Sequence, residues 1–290
     1  MSEITIIEND ILKVAISPVG AELKSLYMKQ AHCPLVWEGD PGIWKDSAPW
    51  LFPVVGRLKN GGYEYKGNWY ELEMHGFARK SFFEIENLSG NAVVYTLHQT
   101  TDTLHAYPWF FKFTVAYHLM SNALKMTVRV INTSDETMPF SVGAHPGFYT
   151  SHGDKLMFEK PEDMPIYRLD SASQLLATTS KEWFRGSELY LDPELFIDDA
   201  LILRHPVSRS LTLIRSCAPH VRITFPQVPY LGLWSKPRSN MPYVCIEPWY
   251  GVDNTAEAKL DIFKKEAINT LNPGEEFSMD LMIEALPELR

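Results

Sequence analysis

Between positions 111 and 130, apolar and polar residues alternate so regularly that the chain has few ways to fold there. Phe111, Phe113, Val115, Tyr117 and Leu119 share one parity, with Lys112, Thr114 and His118 on the other. After Ser121-Asn122-Ala123 the series resumes as Leu124, Met126, Val128 and Val130, separated by Lys125, Thr127 and Arg129. Successive side chains of a strand point to opposite faces. The pattern therefore predicts a long β-hairpin with one buried face.

The same template fits elsewhere. Phe82 to Glu86 and Val93 to Leu97 flank the turn signal Ser89-Gly90-Asn91, and Tyr63 to Tyr65 and Trp69 to Leu72 flank Gly67-Asn68, a pair suited to positive φ. Near the carboxyl end Phe277, Met279, Leu281 and Ile283 alternate with Ser278, Asp280 and Met282. Helical signals are confined to two windows, Ala256 to Ala267 and Lys181 to Glu188. The strand rhythm runs on without a repeat, low-complexity tract or linker. It predicts one all-β domain over residues 1–290, built as a large antiparallel β-sandwich with long strands or several stacked sheets.

Composition narrows the function. A net charge of −9, from 27 Lys and Arg against 36 Asp and Glu, lacks the basic clustering of a nucleic-acid binder. No apolar run approaches the roughly 20 residues that span a bilayer as a helix, so no membrane partner is expected. The segment Met1 to Glu8 lacks the features of a signal peptide. The cysteines, Cys33, Cys217 and Cys245, are odd in number and show no metal-type spacing. Both observations point to reduced thiols and a cytoplasmic location.

Three segments interrupt the strand rhythm and set ionisable groups among Gly, Pro and aromatics. They are Pro49 to Arg57 with the later Met74 to Arg79, Val142 to Phe148, and Tyr243 to Gly251. Each is expected to hold a desolvated titratable group at a strand end, and such groups concentrate at functional sites. A lone His beside Gly and Pro is commonly just a hydrogen-bonded turn residue. A Glu within an apolar strand is rarer, because a buried carboxylate needs a partner. Two histidines and a Glu also make a metal-ligand set, but no His-x-His or His-x-x-x-His pairing exists here, so no metal is expected.

These residues carry a resemblance. Arg57, His75-Gly76-Phe77, Gly143-Ala144-His145-Pro146-Gly147-Phe148 and Cys245-Ile246-Glu247-Pro248-Trp249, in that order and spacing, resemble the aldose 1-epimerase (galactose mutarotase-like) superfamily, and more closely its LacX-like branch. The resemblance runs from Asn9-Asp10 to the Asn272-Pro273-Gly274-Glu275 turn and the final strand. It implies the galactose mutarotase-like supersandwich with an open cleft for a free aldose. It also implies His145 as general acid, Glu247 as general base, and Arg57 and His75 as residues that hold the sugar. Asp199, in Ile197-Asp198-Asp199-Ala200-Leu201, resembles the family's sugar-binding aspartate, with Asp198 as the neighbouring alternative. If the segment is extended, Asp198 shares a face with Phe196 and Ala200 and leaves Asp199 to the cleft. Trp234, in Pro229-Tyr230-Leu231-Gly232-Leu233-Trp234-Ser235, resembles a further contact.

The chemistry is coherent without the family. Exchanging anomers means opening a hemiacetal, rotating about C1–C2 and reclosing. One group takes the O1 proton and another protonates the ring oxygen. A carboxylate near ~4.3 and an imidazole near ~6.5 straddle the range where both are correctly charged. No cofactor is required, and no phosphate-cradling or dinucleotide motif is present. Three other readings use the same residues: a non-catalytic carbohydrate-binding protein, a hexose-phosphate 1-epimerase drawing on Lys59 or Arg79 as spare cations, and a glycosidase pairing Asp199 with Glu247.

Overall fold

The computed structural model describes residues 3–216 and 218–286. Cys217 and the first two residues lie outside them; Cys33 and Cys245 are free thiols. The alternating segments form strands Phe111–Met120 and Ala123–Asn132, paired antiparallel from Phe111↔Asn132 to Met120↔Ala123. Ser121 takes the left-handed conformation at the turn. Strand Glu276–Leu286 pairs with the second arm of this hairpin, and its Met279, Leu281, Ile283 and Ala285 are buried as its alternation predicts.

Strands Glu84–Leu88 and Ala92–His98 form the second expected hairpin, with a register shift between Ile85 and Asn87. Gly62–Tyr65 and Asn68–Glu71 form the third, but its turn is one residue earlier than the sequence suggested. The positive-φ pair is Lys66-Gly67, while Asn68 already pairs with Tyr65.

Neither expected helix is an α-helix. Lys181 to Glu188 falls almost wholly in strand Glu182–Tyr190, which pairs along Lys155–Tyr167. Available pairing partners there overrode weak helical propensity. The window from Ala256 to Ala267 contains only the 3₁₀ turn Ile262–Lys264. The one α-helix among the described residues, Thr101–Ala106, went unforeseen. It is opened by a capping box in which Thr100 and Thr103 satisfy each other's backbone N–H groups.

One long sheet runs from Trp50–Leu51 through Val142–Ala144, Tyr243–Tyr250, Tyr230–Trp234 and Leu201–Arg204, and on to the Phe111–Met120 hairpin and Glu84–Leu88. Its far ends meet. Phe52 stacks on Phe113 with centroids 4.6 Å apart and planes 6° from parallel. The Trp50 indole N–H donates to the Tyr117 hydroxyl at 2.9 Å. The sheet therefore curls into two layers around a shared aromatic core. Tyr117 in turn donates to the Ala21 carbonyl at 2.6 Å, tying in a separate four-stranded sheet over residues 5–34. Removing a ring such as Phe113 from this core is expected to cost about 3–5 kcal/mol.

The curl leaves one stretch of sheet with two different faces. On strands Leu201–Arg204, Tyr230–Trp234 and Tyr243–Tyr250, residues Leu201, Leu203, Leu231, Leu233, Val244 and Ile246 enter the main core. Ile202, Tyr230, Trp234, Tyr243, Cys245 and Trp249 take the opposite parity and belong to smaller clusters on the other side. Glu247 shares that second parity.

Candidate active site

Glu247 lies in the middle of its strand, not at a strand end as expected. It pairs with Gly232 on one side and is 1% exposed. On the other side the chain pairs as Val142↔Tyr250 and Gly143↔Trp249, loosens at His145-Pro146, and re-pairs as Gly147↔Cys245. From Gly143 to Gly147 and from Trp249 to Cys245 both segments advance by the same four residues, so the register is unbroken. It places His145 directly across from Glu247, as cross-strand neighbours whose side chains meet on one face.

His145 Nε2 lies 3.0 Å from Glu247 Oε2, off the hydrogen-bond axis, so Oε2 has no aligned donor among the described residues. Trp44 lies against the imidazole at 5.2 Å between centroids, and Trp234 meets it edge-on at 5.6 Å. Trp249 lies beside the carboxylate, across its neighbouring strands. A Cβ on Gly143 would sit 2.5 Å from Trp249 Cδ1, and one on Gly232 would sit 2.6 Å from Cη2, so both positions need glycine for this ring to lie flat.

Burial drives the two ionisable groups in opposite directions. It pushes the Glu247 carboxyl well above its ordinary value, helped by the negative charges of Asp199 and Asp253. It pulls His145 down to about 3, helped by the positive charge of Arg79. In this desolvated setting the pair therefore favours protonated Glu247 beside neutral His145, the reverse of the charges assumed from reference values. Cys245 completes a triangle. His145, Cys245 and Glu247 each place one potential metal-ligating atom within 4.8 Å of the others, a cluster that linear spacing could not reveal. Burial also pushes the Cys245 thiol well above its usual range, away from the thiolate that binds metals.

The other predicted residues converge on the same place. Arg57, His75, Asp199 and Trp234 line, with His145 and Glu247, a cavity of about 220 Å³. His75 is held in a left-handed conformation, and its Nδ1 accepts the Gly56 N–H at 3.1 Å. The ring proton is therefore on Nε2. Burial, with the positive charges of Arg79 and Arg57, holds His75 well below its ordinary value, so this Nε2–H belongs to a neutral ring. Arg57 is anchored through its backbone N–H to Asp253 Oδ1 at 2.6 Å. Gly56 lets that carboxylate approach, since a Cβ there would lie 2.3 Å from Asp253 Cγ.

The segment carrying Asp199 is not extended. It follows the 3₁₀ turn Pro193–Phe196, and Asp199 itself has φ +69°. Asp198 is exposed, while Asp199 lines the cavity. Arg168 fixes the turn by donating to the carbonyls of Leu195 at 2.7 Å and Asp199 at 3.1 Å. Sequence reasoning missed Trp44, Asp46, Gln174 and Asp253 as lining residues and weighed Arg79 only as a spare cation. Trp44 and Gln174 come from irregular loops with no pattern to mark them. Asp253 follows the Glu247 strand closely enough to have been a candidate.

A family profile described as aldose 1-epimerase matches residues 2–280. The chain is 31% identical over 267 residues to the plasmid-encoded protein LacX of Lactococcus lactis subsp. lactis, covering 87% of this chain and 89% of that one. Its structure is similar to that of a galactose mutarotase related enzyme from Lactobacillus acidophilus, at 36% identity and a TM-score of 0.90, covering 98% and 97% of the two chains. It is also similar to a galactose mutarotase-like protein from Lactobacillus casei ATCC 334, at 28% identity and a TM-score of 0.89, covering 97% and 99%.

Proposed function

The chain belongs to the aldose 1-epimerase family, and we propose that it interconverts the α- and β-anomers of a free hexose by acid–base ring opening and reclosure. The observation that carries this reading is the facing pair His145 and Glu247, buried, 3.0 Å apart and shifted in opposite directions. A cavity of about 220 Å³ is smaller than the roughly 300–1,000 Å³ of pockets for drug-sized ligands. It suits one sugar ring held by Arg57, His75 and Asp199, with Trp234 beside it.

In the cyclic complex the sugar's O1–H donates to Glu247. This stabilises the carboxylate and leaves the pair's single proton on His145. Glu247 takes the O1 proton, the C1–O5 bond breaks, and His145 protonates O5. The products are an open-chain aldehyde, protonated Glu247 and neutral His145. That is the charge state the buried cavity favours, so desolvation works in the direction of ring opening. Rotation about C1–C2 presents the other carbonyl face, and both proton transfers reverse. Every proton moves between the sugar and these two side chains, so this mechanism calls for no cofactor.

A hexose-phosphate 1-epimerase is the second reading. Arg57 and Arg79 both line the cavity, and both have a buried Nε without a partner among the described residues. Two such guanidiniums suit a phosphate's oxygens. Saturation-transfer NMR of anomer exchange, run on free hexoses and their 6-phosphates, separates the readings. Exchange of neither sugar, with binding retained, would instead favour a carbohydrate-binding protein.

A further inference from the structure

Asp253 and its neighbour grip Arg57 by both of its backbone groups. Asp253 Oδ1 accepts the Arg57 N–H at 2.6 Å, and the Asn254 N–H donates to the Arg57 carbonyl at 2.9 Å. This clamp uses one carboxylate oxygen. The other, Oδ2, makes no hydrogen bond among the described residues, yet it is not one of the unpartnered polar atoms sealed from solvent. Asp253 is 5% exposed and lines the proposed sugar cavity. Its free oxygen therefore opens into that space.

Anchoring Arg57 does not call for a charge. An asparagine offers the same acceptor oxygen to the N–H without the cost of burying a carboxylate. This chain instead buries a second charged group beside the first. Lys265, 4% exposed, follows the 3₁₀ turn Ile262–Lys264, and its ammonium donates to the carbonyl of Val252, the residue before Asp253. Lys265 does not line the cavity, so it stands behind the carboxylate and out of the sugar's path. Burial raises the Asp253 carboxyl above its ordinary value, while the Arg57 N–H and the positive charges of Lys265 and Arg57 pull it back. A nearby cation and a close N–H donor keep such a buried carboxylate ionised. Oδ2 is thus a charged acceptor, held still on the wall of a cavity suited to hydroxyl donors.

We propose that Asp253 is a further substrate-binding residue, whose Oδ2 accepts a hydrogen bond from one hydroxyl of the sugar and so selects among sugars by that hydroxyl. The proposal rests on the anomer-exchange reading above. Asp253 moves no proton; Glu247 and His145 act at O1 and O5, and Asp253 holds the ring at another position. A hydrogen bond to an ionised group is roughly twice as strong as a neutral one. A site built to bond a hydroxyl rejects the analogue that lacks it, because its own polar group is left unpaired.

The test measures kcat/KM for anomer exchange of glucose and its 2-, 3-, 4- and 6-deoxy derivatives, on wild type, Asp253→Asn and Asp253→Ala. In wild type, loss of the hydroxyl that Asp253 holds should cost about 10–100-fold. Asp253→Asn keeps an acceptor for the Arg57 N–H and puts an uncharged amide group in place of Oδ2. That one penalty should shrink by about five- to tenfold in Asp253→Asn and vanish in Asp253→Ala, with the other three as in wild type. Each penalty is a ratio between two sugars on one variant, so a reduced folded fraction, or an effect on Glu247 common to all sugars, cancels. Four penalties unchanged in both variants, or all four reduced alike, would overturn the proposal and leave Asp253 as an anchor for Arg57 alone. If wild type exchanges no glucose anomers, the catalytic reading fails separately, and calorimetric titration with the same five sugars decides Asp253. The proposal stands if Asp253→Asn reduces the affinity loss of one deoxy sugar and spares the other three, and it falls on any other pattern, binding of none included.

Discussion

His145 and Glu247 occupy facing positions on two neighbouring segments of one sheet, and their side chains meet at 3.0 Å in a buried pocket. The strand register holds the geometry, so the pair needs no flexible loop to assemble it. A low-dielectric setting then decides how its single proton is shared.

Replacing either partner should stop chemistry and spare binding. Each proton transfer is typically worth about 10²–10⁴-fold. Glu247→Gln and His145→Asn should each lower kcat by at least about 10²-fold. Because the two act as one unit, the double variant should be little worse than the more damaging single one. Near-normal turnover by Glu247→Gln would falsify the mechanism. Metal chelators and thiol alkylation should leave the wild-type rate unchanged.

The pH profile follows from the opposed shifts. The working pair carries one proton. It gains a second as pH falls toward the depressed His145 value of about 3, and it loses its last as pH rises through the elevated Glu247 value. These limbs belong to the pair, not to either residue alone. In kcat/KM, the acid limb should lie below the ordinary carboxylate range and the alkaline limb well above it. An acid limb near the ordinary imidazole value of ~6.5 would show that free His145 is not desolvated.

Stability should respond to pH through the same histidine. Its folded value is depressed, so its contribution is fully present above the unfolded value of 6.5 and is lost as pH falls toward about 3. At pH 5 the loss amounts to about 2 kcal/mol. His145→Gln removes this penalty. Denaturant titrations should show the variant gaining about 2 kcal/mol on wild type between pH 7.5 and pH 5. A constant difference across that range would contradict a buried, neutral imidazole.

Arg57 and Arg79 separate the two substrate readings. For a free hexose, Arg57→Ala should raise KM by about tenfold with a smaller change in kcat. For a hexose phosphate, Arg57→Ala and Arg79→Ala should both damage the phosphorylated substrate far more than the free sugar. Unaltered kinetics in a folded Arg57→Ala protein would remove Arg57 from the site.

The two aspartates offer a sharper contrast than the sequence could promise. Asp199 lines the cavity and Asp198 is exposed. Asp199→Asn should impair exchange, and Asp198→Asn should leave it close to wild type. If steady-state kinetics show the reverse, the sugar is held from outside this cavity.

The period of two over Phe111 to Val130, and again along Phe277 to Ile283, settled the all-β class and the core faces of those strands. A strand's side-chain direction is a local property that needs no knowledge of its partner. Motif order likewise marked Arg57, His75, His145, Asp199, Trp234 and Glu247, all of which line one cavity. Tertiary structure alone decided what depends on neighbours distant in sequence. It turned the Lys181 to Glu188 window into a strand by offering Lys155–Tyr167 as a partner, and it brought Trp44 from a patternless loop onto His145. It also reversed the resting charges of His145 and Glu247. Protonation depends on desolvation and on the charges of Asp199, Asp253 and Arg79, and those groups become neighbours only when the chain folds.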